Sequence, residues 1–516
     1  MKYRKSPLQI EKYYRIQQLS DPAARVHHPE SLPFSKEALA RLYERFAGKI
    51  VFMGEKGYDE ARQEFDPVYQ AYPILICYVA SYNDVKTCLE FARAYNIQVA
   101  LRSGGHSFGG YSVCDGMVVD LGNLNNIYVD TNNNTAFIEA GATFEKIFPV
   151  IESAGLHMVG GGCPTVAVAG YMQGGGFGIT SRMFGMNCDS VLNCTVMLAD
   201  GTIVTANANE NPDLFWALRG GTGGNFGVLL NVTYQLYKLG NILGVQVKWA
   251  IDESAENAAQ ALYALQQNYL VETPYPNLGI ETILTTDTDG IKKLIFCATW
   301  IGSQEDFEKA LQPLQTIPGV TFGEMKSGKY SDINSYVLEG TPNVPEDIEA
   351  FARSAIIDSF LDQDEWKKII KYFYQTAPNQ YTMIDMEFYG GKINSVPVGS
   401  NAFIHRKANM DFFCLSFFNK ETNDQQQCLE WMEAYYKFMI PYTNGHSYQN
   451  YPDRNQTDFR WAYWGQYYDQ LVHIKRKYDP SNFFNYQQSI GPDLMQNSPK
   501  EQIILFTENK ILYENY

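Results

Sequence analysis

The chain of 516 residues lacks the features that would place it in a membrane, on a nucleic acid or around a metal ion. No apolar run approaches the ~18 residues of a spanning helix. The strongest, AYPILICYVA at 71–80, reads as a buried strand. Cations are in deficit: 41 Lys and Arg face 57 Asp and Glu, a formal net charge of −16. That excludes the basic face that nucleic acid phosphates require, and it argues against an anionic membrane surface. Nine cysteines are present but no CxxC pair, and their spacing is irregular. No metal site and no disulfide framework is expected; the thiols read as free, in a reducing compartment. The start, MKYRKSPLQIEKYYRIQQ, has basic residues but no apolar core behind them, so a secretory signal is not expected and a cytoplasmic, soluble protein is. Internal repeats, low-complexity tracts, a Walker loop and a dinucleotide-type GxGxxG are all missing.

What is present suits a large globular protein. Hydrophobic residues make up 45% and charged residues 19%. Tyrosine is abundant at 36 residues; its polar-tipped ring suits a pocket for hydroxylated or aromatic ligands, although most of these tyrosines are expected to be structural. The stretch 35–66 reads as helix and then loop. From about 68 to 238, short β-rich runs alternate with glycine turns and helical segments: ILICYVA, NDVKTCLEFARAYN and IQVALRSGGHS form a strand–helix–strand unit, and the ADG in VMLADGTIVTA signals a hairpin. From 241, long alternating runs (GVQVKWAI, LGIETILTT, KKLIFCATWI, TMIDMEFYGGKI, MDFFCLSFF) predict an antiparallel sheet with helices on one face. From about 441 a short tyrosine-rich strand is expected before a helix and a loop. The fold class is therefore α+β, with a first domain over 1–240 (core about 68–238), a second over 241–440 and a C-terminal segment over 441–516.

Three glycine clusters fall in the first half: RSGGHSFGG (102–110), GGGCPTVAVAGYMQGGGFG (160–178) and RGGTGGNFGV (219–228). Glycine lets the backbone approach a ligand closely, and successive backbone N–H groups in such loops make anion-binding nests. One such loop would mean little, since tight turns explain most glycine pairs; three suggest a diphosphate cradle. The second places one thiol, Cys163, between glycine runs.

These loops, followed in order by GMVVDLGNLNNI after the first and by YQNYPD and YDPSNFFNYQQSI near the end, resemble the berberine-bridge-enzyme-like flavoprotein oxidases, of the vanillyl-alcohol-oxidase or PCMH type. The match runs from about 68 to 490 and is vaguest over 241–439. The resemblance implies a two-part PCMH-type FAD-binding domain, a substrate domain with a helix-covered antiparallel sheet, and a C-terminal segment that returns to the flavin. It implies FAD held covalently twice, through His106 and Cys163. A thiolate adds readily to an electron-poor ring, and an imidazole nitrogen is a nucleophile for a flavin methyl group. It further implies that Arg102, Ser103, Gly104, Gly105 and Ser107 cradle the diphosphate, followed by Gly110 and Tyr111. Gly170, Gly174, Gly175, Gly178 and Val228 are expected to line the cofactor, with Tyr448 and Asn450 returning to it. One departure stands out: many members carry histidine eight positions after the cysteine, where this chain has Tyr171.

The expected chemistry is removal of a hydroxyl proton by a base and of a hydride by the flavin. By resemblance Tyr451, in Asn450–Tyr451–Pro452–Asp453, is the base; a nearby cation or hydrogen-bond donor would be needed to lower its ordinary pKa near 10. In IDMEFYGG, Asp385 and Glu387 share one face of a strand, and Glu387 best matches a family position that orients substrate or assists the base. Two solvated strand carboxylates are the plain alternative. Tyr389 is a lesser candidate for the wall. His405–Arg406 reads as structural support, and His157, His446 and His473 as ordinary residues. Val166, three after the cysteine, occupies the position that governs dioxygen's access in the family; valine there points to an oxidase that yields hydrogen peroxide. The expected partners are a small hydroxylated substrate and dioxygen. A dehydrogenase, a natural-product tailoring enzyme on the same scaffold, and a non-catalytic flavin-binding protein are the alternatives.

Overall fold

Three β-sheets built from these runs surround one cavity. The structure is a computed structural model that describes residues 32–65, 68–271, 275–339, 348–419 and 424–495, with the backbone of two paired strands at Gln502–Thr507 and Lys510–Asn515. The first sheet has four strands in the order Lys49–Phe52, Leu75–Tyr78, Met117–Asp120, Val99–Arg102. Its last three strands are parallel, which requires a crossover; the helix Tyr82–Ala94 supplies it, capped by the Ser81 side chain accepting from the Asp84 N–H. The edge strand Lys49–Phe52 was not expected, because 35–66 reads as helix and loop. The helix Lys36–Arg45 is there, but KIVF follows it and buries Ile50, Val51 and Phe52. Four residues are too few to show a period.

The second sheet is antiparallel, in the order Ile127–Asp130, Thr135–Glu139, Val228–Gln235, Val191–Met197, Ile203–Asn207. Its last pair is the hairpin announced by ADG. The third has eight antiparallel strands. Seven run in the order Val320–Phe322, Ile242–Ala250, Lys292–Trp300, Leu278–Thr286, Met383–Phe388, Met410–Asn419, Ile348–Ile357, and Lys326–Gly328 also pairs with Ile242–Ala250. The strand Ile348–Ile357 was not singled out in the sequence.

Period-two alternation divides this sheet between two environments. Ile384, Met386, Phe388, Phe412 and Cys414 pack under the helices Glu256–Gln266, Gln363–Thr376 and Gln425–Met439. The intervening Met383, Asp385, Glu387, Phe413 and Leu415 face the cavity. The one-sided helical cover is thus present, and the uncovered face belongs to the site.

The expected tyrosine-rich strand near the C-terminus is absent. Tyr448 to Tyr451 form a turn closed by the Tyr451 N–H on the Tyr448 carbonyl at 2.9 Å, and Pro452 withholds the N–H a ladder would need. The helices Phe459–Trp464 and Tyr468–Tyr478 follow. Buried Lys475 ties the second one down, donating to Asp479, the Asn225 carbonyl and the Phe484 carbonyl. Gln449 and Trp464 both donate to the Gly220 carbonyl, so the C-terminal segment is fastened to the third glycine cluster. Among the described residues, no helix is long and apolar enough to cross a membrane.

Candidate active site

A cavity of about 820 Å³ lies between the glycine loops and the uncovered face of the large sheet. Two of the loops touch directly. A Cβ on Gly104 would sit 2.7 Å from the Ala167 nitrogen, so only glycine admits that approach. The contact brings His106 and Cys163 to one hydroxyl: His106 Nε2 lies 2.9 Å and Cys163 Sγ 3.4 Å from Thr165 Oγ1. The His106 ring stacks on Phe65 at 4.2 Å between centroids. Burial holds its pKa down at about 4, so the imidazole is neutral at pH 7 and keeps a nucleophilic lone pair.

The glycine run after Cys163 is braced from the C-terminal turn. The Tyr448 hydroxyl accepts the N–H groups of Gly176 (2.8 Å) and Phe177 (3.2 Å). Asn450 Nδ2 donates to the Tyr448 hydroxyl and to the Tyr171 carbonyl, both at 2.9 Å. The Tyr171 hydroxyl donates to the Phe177 carbonyl.

Tyr451 stands across the cavity. Its hydroxyl donates to Glu387 Oε1 at 2.5 Å. Its ring stacks on Phe413 at 3.7 Å and 12°, with Phe108 edge-on at 6.1 Å and Tyr448 at 5.0 Å, so its direction is fixed. Among the described residues no cation contributes to its electrostatics. Burial and then the Glu387 carboxyl push the Tyr451 pKa well up, the reverse of the help the sequence argument required. Any base action must therefore hand the phenol proton to Glu387.

Glu387 is not a solvated strand carboxylate: it is 4% exposed, and Asp385 also faces the cavity. Burial and then Asp411 push the Glu387 pKa well up. Glu281 also lines the cavity, and burial raises it to about 7.

The other expected residues divide. Ser103, Gly104, Gly105, Ser107, Tyr111, Val166, Gly170, Tyr171, Gly178 and Asn450 line the cavity. Arg102 is set back from the lining: its guanidinium pairs with Asp120, its cross-strand partner, at 2.5 Å and donates to the Ala61 and Gln63 carbonyls. Gly110, Gly174, Gly175, Val228 and Tyr448 also lie behind the lining. Gly174 makes room for the Asn450 side chain and Gly175 for Phe403, while Val228 is a buried strand residue. These positions support the wall; they do not form it. Tyr389 is buried behind the wall, stacked on Phe177. His405 meets Gln449 at 3.0 Å and Arg406 pairs with Asp189 at 2.6 Å, a supporting role. His157, His446 and His473 bond Thr180, the Trp461 carbonyl and the Asp469 carbonyl. Phe108, Thr165, Glu281, Asp411 and Phe413 went unnoticed in the sequence. Only Phe108 and Thr165, inside glycine motifs, carried any local signal.

The chain's likeness to known proteins agrees with this arrangement. A family model for an FAD binding domain matches residues 73–207, and one for berberine and berberine-like proteins matches 447–491. Over 456 residues the chain is 26% identical to an uncharacterized FAD-linked oxidoreductase of Bacillus subtilis, YgaK, covering 87% of this chain and 98% of that one. BBE-like 1 of Physcomitrella patens superposes with a TM-score of 0.80 at 24% identity, covering 89% of this chain and 99% of its own. A chitooligosaccharide oxidase superposes with a TM-score of 0.78 at 22% identity, covering 89% and 100%. Fold and matches together define a PCMH-type flavoprotein. The matched segments and the fold support a berberine-bridge-enzyme-like FAD-linked oxidoreductase.

The residues present fit FAD. The cavity volume lies in the upper part of the ~300–1,000 Å³ typical of ligand sites. Glycine backbone forms much of its lining, and the Tyr111 hydroxyl is a buried donor on that lining with no protein partner. Ser103 to Ser107 and Gly223–Gly224 would hold the cofactor's polar groups through backbone N–H.

Proposed function

We propose that the protein is an FAD-dependent oxidase of a small hydroxylated substrate, an alcohol or carbohydrate, with His106 and Cys163 as two covalent attachment points for the flavin and dioxygen as the electron acceptor. The observation that carries this reading is the Tyr451–Glu387 hydrogen bond of 2.5 Å, in the same cavity as the His106–Thr165–Cys163 cluster. The bound flavin supplies the hydride acceptor. The chain supplies the rest. Tyr451 faces the substrate hydroxyl and Glu387 receives the phenol proton, so the tyrosine takes up the alcohol proton as the C–H bond breaks. Phe413 and Phe108 hold the phenol in register. Asp385 accepts a further substrate hydroxyl. The resemblance to a chitooligosaccharide oxidase supports a CH–OH substrate. Val166 lines the cavity, which supports open access for dioxygen.

An aerobic screen of the purified flavoprotein against alcohols, aldoses and oligosaccharides, read by peroxide release, tests the proposal. Peroxide in step with substrate consumption supports it. Flavin that is bleached by substrate without peroxide would make the protein a dehydrogenase, and flavin that no alcohol or sugar reduces would remove the proposal.

A further inference from the structure

Four carboxyl groups share the cavity side of the large sheet. Glu281, Glu387 and Asp411 stand on three adjacent strands, with Glu387 the direct cross-strand partner of both others. Like charges so placed repel. Asp385 lies two residues before Glu387 on the same face of the strand, and its Oδ1 is buried without a hydrogen-bond partner among the described residues. None of the four forms an ion pair among the described residues, and no group of three or more acids, histidines or cysteines there could hold a metal ion. Glu387 Oε2 and Asp411 Oδ2 are buried oxygens without a protein partner, in residues 4% and 0% exposed. A proton between facing carboxyls removes the repulsion that two buried charges would feel.

We infer that Glu281, Asp385, Glu387 and Asp411 form a buried proton store, in which Glu281 and Asp411 act as positioning residues: they take over the proton that Glu387 carries at rest, so that Glu387 can receive the proton of Tyr451. The inference rests on the reading of Tyr451 and Glu387 as the acid–base pair. The Ser354 hydroxyl donates to Asp411 Oδ1 at 2.5 Å and fixes that carboxyl. Burial raises both Asp411 and Glu281 to about 7, so both exchange protons near neutrality. The groups facing the row include Cys297 on the strand beyond Glu281, Cys414 beside Asp411, Tyr389 after Glu387, Tyr171, Tyr330, and Tyr448 and Tyr451 of the C-terminal turn. Their own pKa values are raised, and none supplies a positive charge.

The balance closes. The alcohol gives a hydride to the flavin and a proton to Tyr451, whose own proton passes to Glu387 and is kept in the row. When dioxygen takes two electrons and two protons to become hydrogen peroxide, one of those protons returns from the row. The chemistry thus needs no proton exchange with bulk water between its two halves.

Infrared spectroscopy of the holoenzyme across pH tests this without a substrate, so its failure is separable from failure of the oxidase reading. Protonated-carboxyl stretching bands are expected at pH 7, with intensity lost in Glu387→Gln. In Glu281→Gln and in Asp411→Asn the remaining Glu387 band should titrate at least about one pH unit lower, as removal of a like-charged neighbour dictates. Ser354→Ala is a milder change that should move the Asp411 band upward even if Asp411→Asn folds poorly. Absence of any protonated carboxyl at pH 7, or a Glu387 titration unmoved by all three changes, would overturn the inference.

Discussion

Replacing Tyr451 by phenylalanine removes one oxygen atom and little else. The ring is held by the stack on Phe413 at 3.7 Å and the edges of Phe108 and Tyr448, and phenylalanine keeps all three contacts. The hydroxyl's partner, Glu387 Oε1, is left without a donor in a residue 4% exposed. A buried carboxyl deprived of its donor costs about 1–3 kcal/mol. Protonation caps that cost here, because burial already raises the Glu387 pKa. Stability should therefore fall only slightly and flavin content should stay at one per chain. Catalysis should suffer far more. Loss of a positioned base lowers the rate by roughly 10²–10⁴-fold, which is about 3–5 kcal/mol of barrier. The assay is anaerobic mixing with the best substrate from the peroxide screen, following loss of flavin absorbance in single turnover. Glu387→Gln should slow the same step, and the double variant should be little worse than either single one, because the two groups act as a unit. A Tyr451→Phe enzyme that reduces its flavin within about threefold of the parent rate would refute the base assignment.

Three further outcomes follow from the geometry. Tyr448→Phe leaves the Gly176 and Phe177 N–H groups without their acceptor, and two unmet buried donors cost about 2–6 kcal/mol together; thermal melts should show a clearly lower Tm and looser flavin. Val166→Ile should narrow the cavity wall where dioxygen is proposed to enter, so stopped-flow reoxidation by oxygen should slow while anaerobic reduction stays unchanged. Because the folded pKa values of Glu281 and Asp411 lie above the ordinary carboxylate range, the folded state binds more protons than the unfolded one between pH 4 and 7, and stability contributed by these groups declines as pH rises through that window. Glu281→Gln should therefore flatten the fall in Tm from pH 5 to pH 8, and a steeper fall would contradict the sign.

The parts of the site legible in the sequence are those written locally. His106, Cys163 and the glycines around them sit inside short motifs, since close approach of backbone to ligand demands particular residues at particular spacings. Tyr451 and Glu387 were each visible, but their bond joins positions 64 residues apart and depends on how a turn meets a sheet. The carboxyl row was not legible: Glu281, Glu387 and Asp411 become neighbours only through the register of three strands, which no local pattern encodes. Arg102 has a partner that was hidden for a related reason. Its motif position suggested a phosphate, but its parallel-register partner is Asp120, and that ion pair decides where the guanidinium goes. The strands at 49–52 and 348–357 were missed because one is too short to show a period and the other, IEAFARSAII, mixes charges into its run.

The attachment of the flavin is the claim most directly open to measurement. Intact mass spectrometry under denaturing conditions, on the parent protein and on His106→Ala, Cys163→Ala and the double variant, reads it in one experiment. The account predicts one flavin adduct on the parent and on each single variant, and the bare chain mass for the double. A parent protein that denatures to the bare chain mass would contradict it and return Cys163 to the ordinary thiols.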